Sequence, residues 1–250
     1  MAYAILLLNG TNSQTEVTMF EKKIISDKKL GIVIYKTNLK EHLSQILENQ
    51  LTNSNHEYFK WKPATVGYFE TPRPDYRKCW DCKIGTPHIS KMPIALEDVY
   101  VETANTLKIC VDDYTRHQNI HPMEYMEAIN FVKYGIGEHF APHNDHGLTY
   151  VCTVSTVTYF NNDYDGGELE FSKLGVKIKP EPGDVVVFPS SFIYTHSSLP
   201  VKSGVKYSAV TMFDYTDKWH VFHAAKAPEH LILKTDKTTP DMLCGGFDNM

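Results

Sequence analysis

The chain has 250 residues, 42% of them hydrophobic and 22% charged, with a formal charge of −5 at neutral pH. That make-up is enough for one well-buried globular core. The acidic balance gives no electrostatic reason to expect a nucleic acid or an acidic membrane as partner.

Residues 2–8 are apolar but far too short to span a bilayer, and they lack the charged start and small-residue cleavage site of a secretory signal. They read as an early strand, and the protein as cytoplasmic. Five cysteines (Cys79, Cys82, Cys110, Cys152 and Cys244), odd in number and irregular in spacing, argue against a disulfide framework. Asn38 can cap a helix, Glu41 completes the capping box, and Leu39, Leu43, Ile46 and Leu47 share a face. Residues 61–87 are rich in proline, aromatic and charged residues without a clean period, and read as irregular strands and loops. Cys79 and Cys82 form a lone C-x-x-C with no second pair to complete a zinc site, so chance or packing is the better reading. A second helix follows Pro93: Leu96, Val99, Tyr100, Thr103, Leu107, Cys110, Val111 and Tyr114 recur at helical spacing over about five turns.

From Met126 onward the texture changes to short β-rich runs at 127–134, 151–160, 168–171, 176–178, 185–188, 193–196 and 207–215. Turn signals separate them, among them Asp165-Gly166-Gly167, Pro182-Gly183-Asp184 and Ser203-Gly204. Many short strands at close spacing predict a sandwich or jelly roll, with the helices packed on its outside. The fold class is therefore α+β. Residues 1–125 form an N-terminal support, 126–225 the core and 226–250 a C-terminal extension of what is one compact domain overall.

Pro142-His143-Asn144-Asp145 places a histidine and a carboxylate two apart. On an extended segment such residues project to one face, so both can reach one metal. His196, 51 positions after Asp145, offers a third ligand from another strand. Two histidines and one carboxylate leave the opposite positions of a metal open, the arrangement of non-haem iron(II) oxygenases. The H-x-D triplet alone is weak in a chain with twelve histidines, where an ordinary turn histidine is the commoner outcome. His146 is a second candidate, ranked lower because it points to the other strand face. Trp219-His220-Val221-Phe222-His223 reads as structural, with no evident carboxylate partner.

The company around the triad decides the reading. Tyr134-Gly135-Ile136-Gly137 stands before Pro142-His143-Asn144-Asp145. Thr158-Tyr159-Phe160-Asn161 precedes Gly166-Gly167-Glu168-Leu169, and Pro180-Glu181-Pro182-Gly183-Asp184 leads into Val187-Phe188. His196, Pro200-Val201, Gly204 and Lys206-Tyr207 complete an order that resembles the prolyl 4-hydroxylase-like branch of the 2-oxoglutarate/iron(II) oxygenases, over residues 134–213. The resemblance implies a double-stranded β-helix (jelly-roll) core and a metal site on His143, Asp145 and His196. It also implies iron(II), 2-oxoglutarate and dioxygen, with ascorbate as reductant. In that family a lysine pairs with the far carboxylate of 2-oxoglutarate and a tyrosine hydroxyl reaches it; the matching positions are Lys206, ten after His196, and Tyr134. A buried carboxylate needs such a partner. Asp145 sits where the family's halogenases would have a small residue.

The resemblance implies a proline-containing protein or peptide as substrate. The chain departs from collagen-type members at Cys152, where many have an arginine, and at Tyr207, where a tryptophan often stands. Tyr150, Tyr164 and Tyr194 are expected at the mouth of the site. The same chemistry on a free amino acid or another non-prolyl substrate is the alternative; a silent jelly-roll binding protein is the remote one. Oligomeric state is not legible.

Overall fold

The computed structural model describes residues 20–25, 30–39, 42–52, 54–66, 71–85, 91–147, 151–216, 220 and 231–232. The expected strand at 2–8, the capping residue Glu41, Tyr150, His223, Cys244 and most of the C-terminal extension lie outside them.

The N-terminal region opens with an antiparallel pair, β1 (Glu21–Ile25) and β2 (Ile32–Lys36), followed by α1 (His42–Thr52). Leu43, Leu47 and Leu51 form the buried face of α1, with Ile46 packed beside them. Leu39, expected in this helix, precedes it and is buried in the same cluster. The stretch without a period holds three short strands, β3 (Lys62–Pro63), β4 (Arg77–Lys78) and β5 (Trp80–Ile84). Next comes α2 (Ile94–Gln118), beginning directly after Pro93. Proline cannot donate to a helix, and at that boundary no donor is needed. The helix ends on Asn119, left-handed at φ 57°, whose amide reaches the Arg116 carbonyl while that of Ile120 reaches Thr115. All eight residues of the expected face are buried.

The remaining strands are β6 (Tyr125–Met126), β7 (Ile129–Tyr134), β8 (His139–His143), β9 (Val154–Tyr159), β10 (Asp165–Gly166) and β11 (Leu169–Phe171). They continue with β12 (Val176–Ile178), β13 (Asp184–Pro189), β14 (His196–Ser198), β15 (Val201–Ser203), β16 (Lys206–Asp214) and β17 (Leu231–Ile232). One expected strand is corrected. Within 193–196 the chain makes a 3₁₀ turn, Phe192–Tyr194, and β14 begins only at His196. Apolarity alone does not distinguish a tight turn from a strand here.

Two sheets result. The larger runs β1-β2-β13-β9-β16-β7-β5-β3, with β6 on β16 and β17 on β6; the smaller runs β12-β11-β14-β8-β4; and β10 pairs with β15. Strand period sorts the side chains of the larger sheet. Val33, Tyr35, Phe131, Val154, Val185, Val187, Ala209 and Phe213 face α1 and α2 in one cluster. Ile32, Ile34, Val157, Tyr159, Val186 and Phe188 face the smaller sheet with Leu169, Phe171 and Ile178. Each fully buried large side chain contributes about 1.5–3 kcal/mol, so a one-residue slip of any central strand would forfeit several such terms. The architecture is α+β: a double-stranded β-helix with helices on one outer face. No helix among the described residues is long and apolar enough to cross a membrane.

Candidate metal centre

His143 closes β8 and His196 opens β14, and the two strands pair with these residues opposite each other. Asp145 lies in the bend just after β8, so the two-residue spacing works through a turn rather than along a continuous strand. One ligand atom from each of the three residues lies within 4.8 Å of the other two. His143 Nε2 is 3.7 Å from Asp145 Oδ1, and His196 Nε2 is 3.7 Å from Asp145 Oδ2.

Both rings are held in one tautomer. His143 Nδ1 lies 2.9 Å from the Ala141 carbonyl and His196 Nδ1 3.0 Å from the Tyr194 carbonyl. A carbonyl only accepts, so each Nδ1 carries hydrogen and each Nε2 lone pair points toward the group. Phe140 stacks on His143 with centroids 3.6 Å apart, and Phe188 packs edge-on against His196 at 4.8 Å. Burial, then the neighbouring His196, pushes the His143 imidazole down to about 4 against the opposing pull of Asp145. It is therefore neutral at pH 7, as a metal ligand must be.

From this triad a cavity of about 580 Å³, its mouth included, runs between the two sheets. Tyr134, Val157, Tyr159, Lys206 and Val210 line it from the larger sheet; Arg77, Phe140, Leu169 and Ser198 line it from the smaller. Lys206 is opposite Tyr134 in the ladder, and its Nζ sits 4.4 Å from the centre of the Tyr134 ring. The ammonium donates to the Gly167 carbonyl at 2.9 Å and to the Ser198 hydroxyl. Among the described residues these are neutral acceptors only; no carboxylate pairs with it. Burial pushes Lys206 down to about 7, with Cys79 and Glu168 pulling the other way. A buried cation without a counter-charge is unfavourable and is relieved by an anion. The tight turn beneath it requires glycine: Gly167 has φ +64°, and a Cβ there would stand 3.2 Å from Lys206 Cδ.

The structure thus brings Tyr134, His143, Asp145, His196 and Lys206 around one cavity. Among the described residues, the lower-ranked candidates His146 and His220 do not belong to this cluster. His146 turns its Nδ1 to the Cys152 carbonyl at 2.7 Å. His220 does have a carboxylate partner, contrary to expectation: its Nε2 lies 3.0 Å from Asp214 Oδ2, and its ring stacks on Tyr125 at 3.7 Å. Both members of that pair are buried, and neither belongs to the metal-ligand cluster. Cys79 and Cys82 enter different core clusters, and burial raises their thiols to about 11 and about 12, which fits packing. Tyr164 is 5% exposed and packs in the core rather than at the mouth.

Tyr159, Ser198 and Arg77 are among the lining residues that the sequence did not single out. Tyr159 lay inside a quoted motif, and the alternation Ser155, Val157, Tyr159 could have pointed it inward. Ser198 follows His196 by two, the same signal. Arg77 had none, coming from the stretch without a period. Its Nη2 reaches Asp81 at 3.0 Å, and its guanidinium carbon lies 5.0 Å from the Phe140 ring centre.

Residues 129–214, from the start of β7 to the end of β16, match the family described as the 2OG-Fe(II) oxygenase superfamily. This interval holds the ordered motifs, so the family resemblance and the match rest on the same strands. No curated protein matches the sequence. Among solved structures, a Pseudomonas putida prolyl-4-hydroxylase aligns at 20% identity with a TM-score of 0.53, covering 74% of this chain and 92% of that one. A Trichoplax adhaerens prolyl hydroxylase, in complex with a hypoxia inducible factor oxygen degradation domain peptide fragment, aligns at 16% identity with a TM-score of 0.56, covering 74% and 84%. At such identities the shared feature is the fold.

Proposed function

We propose that the protein is a 2-oxoglutarate- and iron(II)-dependent dioxygenase that hydroxylates a C–H bond, with a prolyl residue of a protein or peptide as the leading substrate. The observation that carries this reading is the two-ended cavity. Two imidazole Nε2 atoms and a carboxylate converge at one end, and an ammonium without a counter-charge waits inside. The donor set suits iron(II), with His143, Asp145 and His196 as the ligands. Lys206 and Ser198 suit the far carboxylate of 2-oxoglutarate, with the Tyr134 ring set against the ammonium. When bound, iron, 2-oxoglutarate and dioxygen supply the oxidising chemistry, which releases succinate and carbon dioxide, with ascorbate keeping the metal reduced.

The chain's own part is positional. Ala141 and Tyr194 carbonyls fix both imidazoles, Phe140 sets the plane of the His143 ring, and Val157, Leu169 and Val210 keep water off the cavity wall. The support region 1–125 lends β4 to the smaller sheet beside β8, which brings Arg77 to the cavity. That cation favours a second reading, hydroxylation of a free amino acid or another small carboxylate. The prolyl reading draws on the sequence motifs.

Purified protein supplied with iron(II), ascorbate and 2-oxoglutarate should make succinate, and His143→Ala and Asp145→Ala should not. Equal succinate from these variants would overturn the site assignment. Mass spectrometry of proline-containing peptides and free amino acids, scored for the gain of one oxygen atom, separates the substrate readings. Turnover confined to non-prolyl compounds would end the prolyl one.

A further inference from the structure

Behind Asp145 lies a line of small polar side chains, all buried, that the reaction itself does not use. Ser155 of β9, 0% exposed, donates from Oγ to Asp145 Oδ2 at 2.6 Å. Its Oγ also lies 2.7 Å from that of Ser190, which is 1% exposed. Cys152, 2% exposed, lies beside Ser190.

The direction of this line follows from counting protons. A ligating carboxylate only accepts, so the single hydroxyl proton of Ser155 goes to Asp145. In the contact between the two serines Ser190 must then donate. The result is a one-way chain, Ser190 to Ser155 to Asp145, in which each bond polarises the next. The backbone pins it in place: His146 N–H donates to the Ser190 carbonyl at 3.0 Å, and Ser190 N–H to the Thr153 carbonyl at 3.0 Å. Both edges of the turn after Asp145 are thereby tied to the end of β13.

We propose that Ser155 and Ser190 are positioning residues that hold the Asp145 carboxylate for coordination through a single oxygen. This rests on the metal-site reading above. The two oxygens lie equally far from the imidazoles, Oδ1 3.7 Å from His143 Nε2 and Oδ2 3.7 Å from His196 Nε2, and the Ser155 hydrogen bond to Oδ2 is what distinguishes them. A carboxylate free to rotate could grip the ion with both oxygens and fill a position that the co-substrate or dioxygen needs. Cys152 stands behind the metal carboxylate and does not line the cavity.

The test is cobalt(II) binding to the metal-free protein, followed by visible absorption of the bound ion, in wild type, Ser155→Ala, Ser155→Thr, Ser190→Ala and the double Ser155→Ala/Ser190→Ala variant. Removal of a hydrogen-bond partner behind a metal ligand weakens binding about 10- to 100-fold. Ser155→Ala should fall in that range with an altered spectrum, and Ser155→Thr, which keeps the hydroxyl, should bind as wild type does. Ser190→Ala should lose less, and the double variant no more than Ser155→Ala alone, because Ser190 acts only through Ser155. Wild-type affinity in Ser155→Ala, or losses that multiply in the double variant, overturns the proposal. Should Ser155→Ala fail to fold, Ser190→Ala decides, and unchanged affinity and spectrum there refute the chain. Cobalt binding by Asp145→Ala equal to wild type would instead refute the metal site itself.

Discussion

Replacing Lys206 with methionine should have opposite effects on ligand binding and on the stability of the ligand-free protein. Methionine has similar length and fills the same space without the charge. Truncating one partner of a buried, hydrogen-bonded charge pair costs about 2–5 kcal/mol. At about 1.4 kcal/mol per decade, that raises the Kd for 2-oxoglutarate from roughly 30-fold to several thousand-fold. Without ligand the same ammonium is a burden. Burial moves Lys206 from 10.5 to about 7, and at about 1.4 kcal/mol per unit this corresponds to roughly 4–5 kcal/mol taken from its protonated form. Between pH 7 and 10.5 the unfolded chain therefore holds more protons than the folded one, and stability rises with pH across that window. Lys206→Met should melt higher than wild type at pH 7, by several degrees, and lose this alkaline gain. Wild-type affinity for 2-oxoglutarate should meanwhile fall above pH 7, as the free site loses its proton. Thermal melts of metal-free protein from pH 6 to 10, with titration calorimetry of 2-oxoglutarate into the manganese(II) form, read both effects. A variant that melts lower and binds 2-oxoglutarate normally would show that Lys206 is a structural lysine and that the cavity serves something else.

Gly167→Ala forces a side chain into a left-handed turn against Lys206 and Val201. At about 1–3 kcal/mol for such strain, the melting temperature should fall by several degrees and the KM for 2-oxoglutarate should rise more than kcat falls. Phe140→Ala removes the ring stacked on His143 and should weaken cobalt(II) binding about tenfold while leaving far-ultraviolet circular dichroism unchanged; unaltered binding would mean the stack does not orient the ligand. At Asp214, burial pushes the carboxyl up, but His220, Thr153 and the Tyr215 amide together hold it below the ordinary carboxylate range. Its stabilisation is present at neutral pH and lost as pH falls through that lowered value. Asp214→Asn should cost about 1.5–3 kcal/mol at pH 7 and flatten the acid limb of a denaturation profile. An unchanged acid limb would remove Asp214 from the acid response.

Much of the site is legible in the chain because its parts are local or ordered. The face of α2 shows in the 3.6-residue period, and Pro93 marks its start. Gly166-Gly167 announces a turn that only glycine tolerates. His143 and Asp145 need just two residues of spacing, and Lys206 stands at a set distance beyond His196. Other features have no local mark. The turn at Phe192–Tyr194 is as apolar as the strand predicted there, and Tyr164 is as aromatic as a mouth residue. His220 found its carboxylate on β16, an element that spacing alone did not connect to it.

By itself the sequence determined the face of α2, most strands after Met126, the motifs and the residue types at the site, since these depend on period, turn chemistry and order along the chain; it did not mark the pair β1 and β2. Tertiary structure alone decided that β8 and β14 are neighbours, so that two imidazoles 53 positions apart face one carboxylate. It also decided that Arg77, from the least patterned stretch, lines the same cavity, and that Ser155 backs Asp145. The reason is physical. A cross-strand contact is set by the packing of two sheets around a common core, and that information is shared among distant residues rather than written near any one of them.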